Sequence, residues 1–162
     1  MLKFTYMKTP LHKYTFKNRR IREWVEQNVE GKVLNLFAGI TKLDCNETRV
    51  DLDEMMVADY YMDALEFCQS WKRKEEKFNT VLLDPPYTLR KSMEMYNGKI
   101  QSPFNATKGE VNEIIESNGI VITFGYHSNS MGKSRGFEQE HILLMSHGGA
   151  IHDTIATIER KC

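Results

Sequence analysis

Apolar residues recur along this chain at two spacings. Over residues 17–28 they fall at Ile21, Trp24 and Val25, one face of a helix, and Gly31 ends the element. Residues 33–37, Val-Leu-Asn-Leu-Phe, predict a short buried strand running into Ala38-Gly39. Alternation predicts a second strand over 48–52 and a third over 57–61. Residues 63–74 return to helical spacing through Leu65, Cys68 and Trp71, with Asp63 placed to cap the first turn. A fourth strand, 80–83, is β-branched or apolar throughout and stops at Asp84-Pro85-Pro86, because two prolines cannot continue a central strand. A polar stretch follows to residue 106. Val111, Ile114 and Ile115 then predict a helix over 107–117, before a fifth strand over 119–124. Residues 125–139, rich in Gly, Ser and Asn, read as a loop. Strands over 141–145 and 154–158 flank the His147-Gly148-Gly149 turn.

Seven strands, with helices among the earlier ones and a hairpin at the end, describe an α/β sheet with an antiparallel edge. At 162 residues the chain fits one domain, 1–162. Open α/β sheets bind ligands at the carboxyl ends of their strands. Gly39, Asp51 or Asp53, Asp84 and Gly125 are therefore expected along one edge.

Composition narrows the picture. Apolar residues at 41% and aromatics at 10% fit a globular chain. The longest apolar runs, 119–125 and 142–145, are too short to cross a bilayer, and the N-terminus lacks the apolar run of a signal peptide. No membrane association and a cytoplasmic location are the expectations. Cys45, Cys68 and Cys162 form no CxxC pair, so reduced thiols are expected. His147 and His152 match no helical ligand spacing, and no metal is expected. Basic and acidic residues balance at 22 each, but unevenly along the chain. Residues 1–32 carry eight basic against three acidic residues, whereas 44–66 carry eight acidic residues against Arg49 alone. The acidic stretch cannot face phosphate comfortably.

Asp84-Pro85-Pro86-Tyr87, directly after a buried strand, carries the most specific chemistry. An exocyclic amine on a nucleobase is a poor nucleophile because its lone pair is delocalised into the ring. A carboxylate and a rigidly held carbonyl accept its two N–H bonds and localise that pair toward an electrophile. The prolines fix φ and hold the carbonyl in place. Tyr87 is suited to stacking on a base that has left its helix. Asp-Pro-Pro is also ordinary turn chemistry, which is the plainer explanation. Phe37-Ala38-Gly39 offers a small-residue turn for close approach of a cofactor. Asp51 or Asp53, at the end of the second strand, suits a ribose diol. Asp63 either reaches an adenine amine or simply caps its helix.

In combination these segments resemble the class I S-adenosylmethionine-dependent methyltransferases, specifically the amino-methyltransferases of adenine N6 and cytosine N4 in DNA. Residues 35–39 are similar to the family's first cofactor motif, Asp51/Asp53 to its second, 63–67 to its third and 84–87 to its catalytic fourth. Tyr14-Thr15-Phe16 resembles the segment that holds the methionine end of the cofactor, and the order of motifs resembles the γ arrangement. The resemblance implies a Rossmann-like sheet. It implies S-adenosylmethionine on Tyr14, Thr15, Phe37, Ala38, Gly39, Asp51, Asp53, Asp63 and Asp84, and catalysis by Asp84, Pro85, Pro86 and Tyr87.

The chain departs from that pattern. Asn35 stands where the family has an acid, and Thr41 where it has a second glycine. The intervals 39–51 and 53–57, and that between the fifth and sixth strands, leave no room for the usual helices. A sheet short of helical cover predicts a homodimer or a partner subunit. No target-recognition domain fits. Phosphate contacts are therefore expected from two loops beside the site, through Arg90, Lys91, Lys99 and Lys108 in one and Lys133 and Arg135 in the other. The expected substrate is DNA, at adenine N6, before RNA. The alternatives are guanine N2 in RNA, or a catalytically silent subunit that binds nucleic acid or a partner.

Overall fold

In the computed structural model, which describes residues 1–85, 103–149 and 152–162, the chain forms an eight-stranded sheet. The strands are β1 (Lys3–Lys8), β2 (Val33–Asn35), β3 (Glu47–Asp51), β4 (Tyr60–Tyr61), β5 (Phe78–Leu83), β6 (Ile115–Gly125), β7 (Phe137–Ser146) and β8 (Thr154–Lys161). Their order across the sheet is β1-β7-β8-β6-β5-β2-β3-β4. Five neighbours, β4-β3-β2-β5-β6, run parallel. β8 runs antiparallel between β6 and β7, and β1 lies parallel to β7. The α/β architecture is as expected, with two corrections. There is an eighth strand, and the β7–β8 hairpin is internal because β1 forms the edge beyond it. β1 escapes the pattern because its aromatic residues, Phe4 and Tyr6, face solvent rather than a core.

Among the described residues three α-helices pack on this sheet: α1 (Arg19–Asn28), α2 (Ala64–Trp71) and α3 (Phe104–Ile114). On one face α1 lays Ile21, Trp24 and Val25 against Leu82, Ile122 and Phe124. On the other, α2 and α3 enclose Phe67, Trp71, Val111 and Ile114 with Val81, Leu83 and Val121. Phe67 stacks on Trp71 with centroids 5.2 Å apart, and Trp71 meets Phe78 at 5.1 Å. Asn18 caps α1, its Oδ1 accepting from the Arg20 and Ile21 amides, while its Nδ2 donates to Thr9 Oγ1 and the Pro10 carbonyl. One side chain thus starts the helix and fixes the segment that precedes it.

Several predicted boundaries move. The first strand stops at Asn35 rather than residue 37, because Phe37 to Gly39 turn into the ligand-binding edge. Of the predicted third strand only Tyr60–Tyr61 pairs, since Val57 is drawn off by bonds to Gly39 and Arg49. The helix predicted over 107–117 ends at Ile114, and Ile115 opens β6. At that junction Asn118 adopts φ 64°, and the register against β5 shifts between Phe78 and Thr80. The predicted loop 125–139 ends early, with β7 beginning at Phe137.

Among the described residues no α-helix joins β2 to β3, β3 to β4 or β6 to β7. Two buried charges hold those connections instead. Arg49, in β3, donates from Nε to the Val57 carbonyl at 2.8 Å and from one terminal nitrogen to the Ala38 and Gly39 carbonyls at 2.9 and 3.1 Å. The other terminal nitrogen reaches the Thr41 carbonyl at 2.8 Å and Glu47 Oε1 at 2.7 Å. Glu159, in β8 and fully buried, accepts the Ser130, Met131 and Gly132 amides at 2.9, 3.0 and 2.7 Å. It draws the β6–β7 connection down onto the sheet and seats Met131 in the core. A planar cation gathers carbonyls and an anion gathers amides, each satisfying backbone groups that helices would otherwise satisfy among themselves.

Candidate active site

At the carboxyl ends of the parallel strands lies an open cleft. One wall is the N-terminal segment 10–16, which links β1 to α1. The floor is Phe37-Ala38-Gly39 with Asp51, and Asp84, Pro85, His147 and Thr154 face it from the far side. Of the cofactor residues expected from sequence, Tyr14, Thr15, Phe37, Ala38, Gly39, Asp51 and Asp84 all line this one cleft.

The Gly39 turn is held from three directions. Its amide donates to Asp51 Oδ2 at 2.8 Å, and its carbonyl accepts from Arg49 and from the Val57 amide. Its φ of 66° lies in the left-handed region, where a side chain is strained. Asp51 Oδ1 accepts the Asp53 amide at 2.9 Å, so each carboxylate oxygen holds one N–H and keeps a lone pair for a further donor. Burial pushes the Asp51 carboxyl above its ordinary range, opposed by those two amides and by Arg49.

Asp53 and Asp63 stand outside the cleft lining. Asp53 is buried and accepts the Met55 amide, closing the turn after β3. Asp63 caps α2, its Oδ2 accepting from the Leu65 and Glu66 amides at 3.1 and 3.3 Å. Asn35 is fully buried and donates to Glu47 Oε2 at 3.3 Å. An acid at position 35 would meet that carboxylate, which accounts for the amide there.

The phosphate-contact residues divide. Lys133 and Arg135 form a 3₁₀ turn just before β7 starts, and β7 starts at the amino end of the parallel strands. They therefore stand at the edge opposite the cleft. This corrects the expected placement beside the site, and Glu159 is the reason: it draws the whole connection across the sheet. Lys108, in α3, donates to the Ser130 carbonyl at 3.1 Å and sits over the Phe104 ring, and burial lowers its pKa. Arg90, Lys91, Lys99, Pro86 and Tyr87 lie outside the described residues.

Two features were not read from sequence. His147 bridges the N-terminal wall to β8, one ring nitrogen 2.8 Å from the Thr9 carbonyl and the other 2.7 Å from Thr154 Oγ1. Both nitrogens are thereby engaged by protein atoms. Tyr126, directly after β6, packs against His152 with ring centroids 4.6 Å apart and the planes tilted by 33°. The Gly125–Ile155 pairing sets that aromatic pair at the same strand ends as the cleft. Burial pushes the Cys45 and Cys68 thiols up to about 11 and about 12, so neither supplies a thiolate at neutral pH.

This is the fold of the S-adenosylmethionine-dependent methyltransferases. A methyltransferase from Agrobacterium tumefaciens matches with a TM-score of 0.57 at 15% identity, over 86% of this chain and 60% of its own. The N-methyltransferase NodS of Bradyrhizobium japonicum matches at 0.58 and 10% identity, over 88% of this chain and 95% of its own. A candidate rRNA methylase of Clostridium thermocellum matches at 0.55 and 10% identity, over 93% of this chain and 99% of its own. The chain spans about half the length of other, larger structures with this fold. No family model and no curated protein matches the sequence.

Proposed function

We propose that this chain transfers a methyl group from S-adenosylmethionine to the exocyclic amine of a nucleobase, with adenine N6 in DNA as the first substrate. The observation that carries this reading is the convergence of Asp84-Pro85, the Gly39 turn and Asp51 on one cleft. The residues present suit the cofactor. Asp51 keeps acceptor capacity for a ribose diol, and the left-handed Gly39 turn brings bare backbone to the floor. Phe37 and Ala38 give an apolar floor, with Tyr14 and Thr15 on the facing wall. Asp63 acts through its helix cap, on α2, rather than on the ligand. When bound, the cofactor supplies an electrophilic methyl group.

The rest of the chemistry belongs to the chain's own atoms. The Asp84 carboxylate and a carbonyl of the Pro85-Pro86 pair accept the two amine N–H groups, drawing the nitrogen lone pair out of the ring. Because the prolines fix the backbone beforehand, this polarisation costs little reorganisation as charge develops. Tyr87 stacks on the everted base.

RNA, at guanine N2, is the second reading. The likeness to the candidate rRNA methylase runs over nearly its whole length. Transfer of labelled methyl to duplex DNA, single-stranded DNA and RNA, followed by nucleoside analysis, tests both readings. N6-methyladenine in DNA supports the first and N2-methylguanine in RNA the second. No label on any substrate supports a silent subunit. Asp84→Ala is expected to lower transfer at least 100-fold while sparing cofactor affinity. Turnover retained in that variant removes Asp84 from the catalytic role.

A further inference from the structure

The first 22 residues contain seven basic side chains (Lys3, Lys8, Lys13, Lys17, Arg19, Arg20 and Arg22) and no acidic one. In a chain whose charges balance overall, the remainder is therefore net negative. The fold turns this asymmetry in sequence into one in space. β1 and β4 are opposite edges of the sheet, so the basic strand β1 stands away from the acidic surroundings of β4, while residues 10–16 reach in to the cleft that Asp51 also lines. The first turn of α1 carries no acid, although acids there would favour the helix dipole. Local helix stability alone does not select that composition.

Apart from Lys3, at the amino end of β1, the basic residues lie on the part of the chain that leads to and forms the cleft wall. β1 ends at Lys8, at the carboxyl edge, and the chain continues through the cleft wall, with Lys13 lining it. Arg20 donates to the Lys8 carbonyl at 2.6 Å, bringing the start of α1 against the end of β1. Lys3, Lys8, Lys13, Lys17, Arg19 and Arg20 are all exposed. Strand alternation sets Phe4, Tyr6 and Lys8 on one face of β1, while Met7 turns toward the α1 side. Phe4 and Tyr6 are 65% and 60% exposed, and they pair with half-buried Ile142 and Leu144 on β7. An aromatic stripe thus leads up the sheet face into a basic rim.

We infer that this N-terminal surface binds single-stranded nucleic acid flanking the target base, with Phe4 and Tyr6 stacking on bases and the cations on phosphates. The inference rests on the reading of the cleft as a base-methylation site, which selects the partner. Four strand spacings of about 4.8 Å separate β1 from β5, roughly 19 Å. Stacked nucleotides at about 3.4 Å each cover that distance in about six, so one strand reaches both the stripe and Asp84. Exposed aromatics on a sheet favour unpaired bases, because a duplex hides the ring faces.

Fluorescence anisotropy with a labelled 20-nucleotide single-stranded DNA, the same sequence as RNA, and a duplex tests this across a salt series, using the full chain. Phe4→Ala/Tyr6→Ala is expected to weaken both single strands about tenfold or more and leave the duplex unchanged. Lys3→Ala/Lys8→Ala/Lys17→Ala is expected to weaken every probe and lower the single-strand salt slope by about 2. Calorimetry is expected to give unchanged S-adenosylmethionine affinity for both variants. The single Lys17→Glu, at an exposed position, provides the same comparison should a multiple variant misfold. Unchanged affinity and slope in all variants overturn the inference. So does binding to phosphatidylserine vesicles that the triple variant loses while no oligonucleotide binds, since the patch then serves a membrane. Patch-dependent oligonucleotide binding without cofactor binding or methyl transfer would sink the proposed activity and leave the surface standing.

Discussion

Replacing Arg49 with Met removes a cation that is 97% buried in effect, its side chain being only 3% exposed. Four carbonyls and Glu47 lose a donor at once, in the two connections, β2–β3 and β3–β4, that carry Gly39, Thr41 and Val57. An unpaired buried acceptor costs about 1–3 kcal/mol, and these losses do not add, because the freed loops relax together. Breaking a buried ion pair from one side costs about 3–5 kcal/mol, which sets the expected magnitude here. That is a large fraction of a typical stability of about 5–15 kcal/mol, and corresponds to a fall in Tm of roughly 10–15 °C. Urea unfolding followed by circular dichroism measures it, with the m-value reporting whether the unfolded state has changed. Arg49→Lys is expected to recover less than half, since an ammonium on a flexible stem cannot present a planar fork to four carbonyls. A loss below about 1 kcal/mol for Arg49→Met, or full stability of Arg49→Lys, would refute the claim that this side chain replaces helices.

Glu159→Gln turns an amide donor toward one of three backbone N–H groups, and is expected to cost about 1–3 kcal/mol. Hydrogen exchange should speed up at Ser130, Met131 and Gly132; unchanged exchange would show that the loop holds itself. Gly39→Ala places a side chain at φ 66°, with no atom nearer than Tyr14 Cδ1 at 4.0 Å, so strain rather than a clash sets the loss at about 1–2 kcal/mol. A thermal melt of that variant matching wild type would show that the turn tolerates another conformation. Arg160 holds the Glu30 carboxyl below the usual carboxylate range. Below the ordinary glutamate pKa the unfolded chain binds the proton more readily, so this contribution is present above that range and is lost as pH falls through the depressed value. Glu30→Gln should therefore flatten the acid limb of the stability curve, and an unaltered limb would argue against the pairing in solution.

The parts of the fold legible in sequence were those encoded by local burial. α1, α2 and β5 each bury a continuous apolar stripe, and their periodicity is plain. The cleft residues were legible because chemistry and strand ends coincide at Ala38-Gly39, Asp51 and Asp84. β1 was not, although Phe4 and Tyr6 alternate, because an edge strand that points its rings outward looks like an exposed tail. Arg49, between Glu47 and Asp51, and Glu159, followed by Arg160 and Lys161, resemble solvated charges. Their partners are backbone atoms of loops that approach only once the sheet exists, a relation that periodicity does not carry. The same effect misplaced Lys133 and Arg135, since a loop leaving one edge of a sheet gives no local sign of finishing at the other.

The parallel pairing of β1 with β7 also fixes the order in which this molecule can be assembled. His147 grips the Thr9 carbonyl across 138 residues, and every rung of the β1 ladder spans a similar separation. At about 5–20 residues per second, a ribosome needs roughly 7–28 s to deliver the partner after the first strand has emerged. Through that interval β2, β3 and β5 can already pair, while residues 3–16 have no sheet to join. The wall of the cleft is thus the last piece set in place. Ligand-binding competence therefore waits on contacts that span 138 residues, and arrives only once β7 has emerged to receive β1.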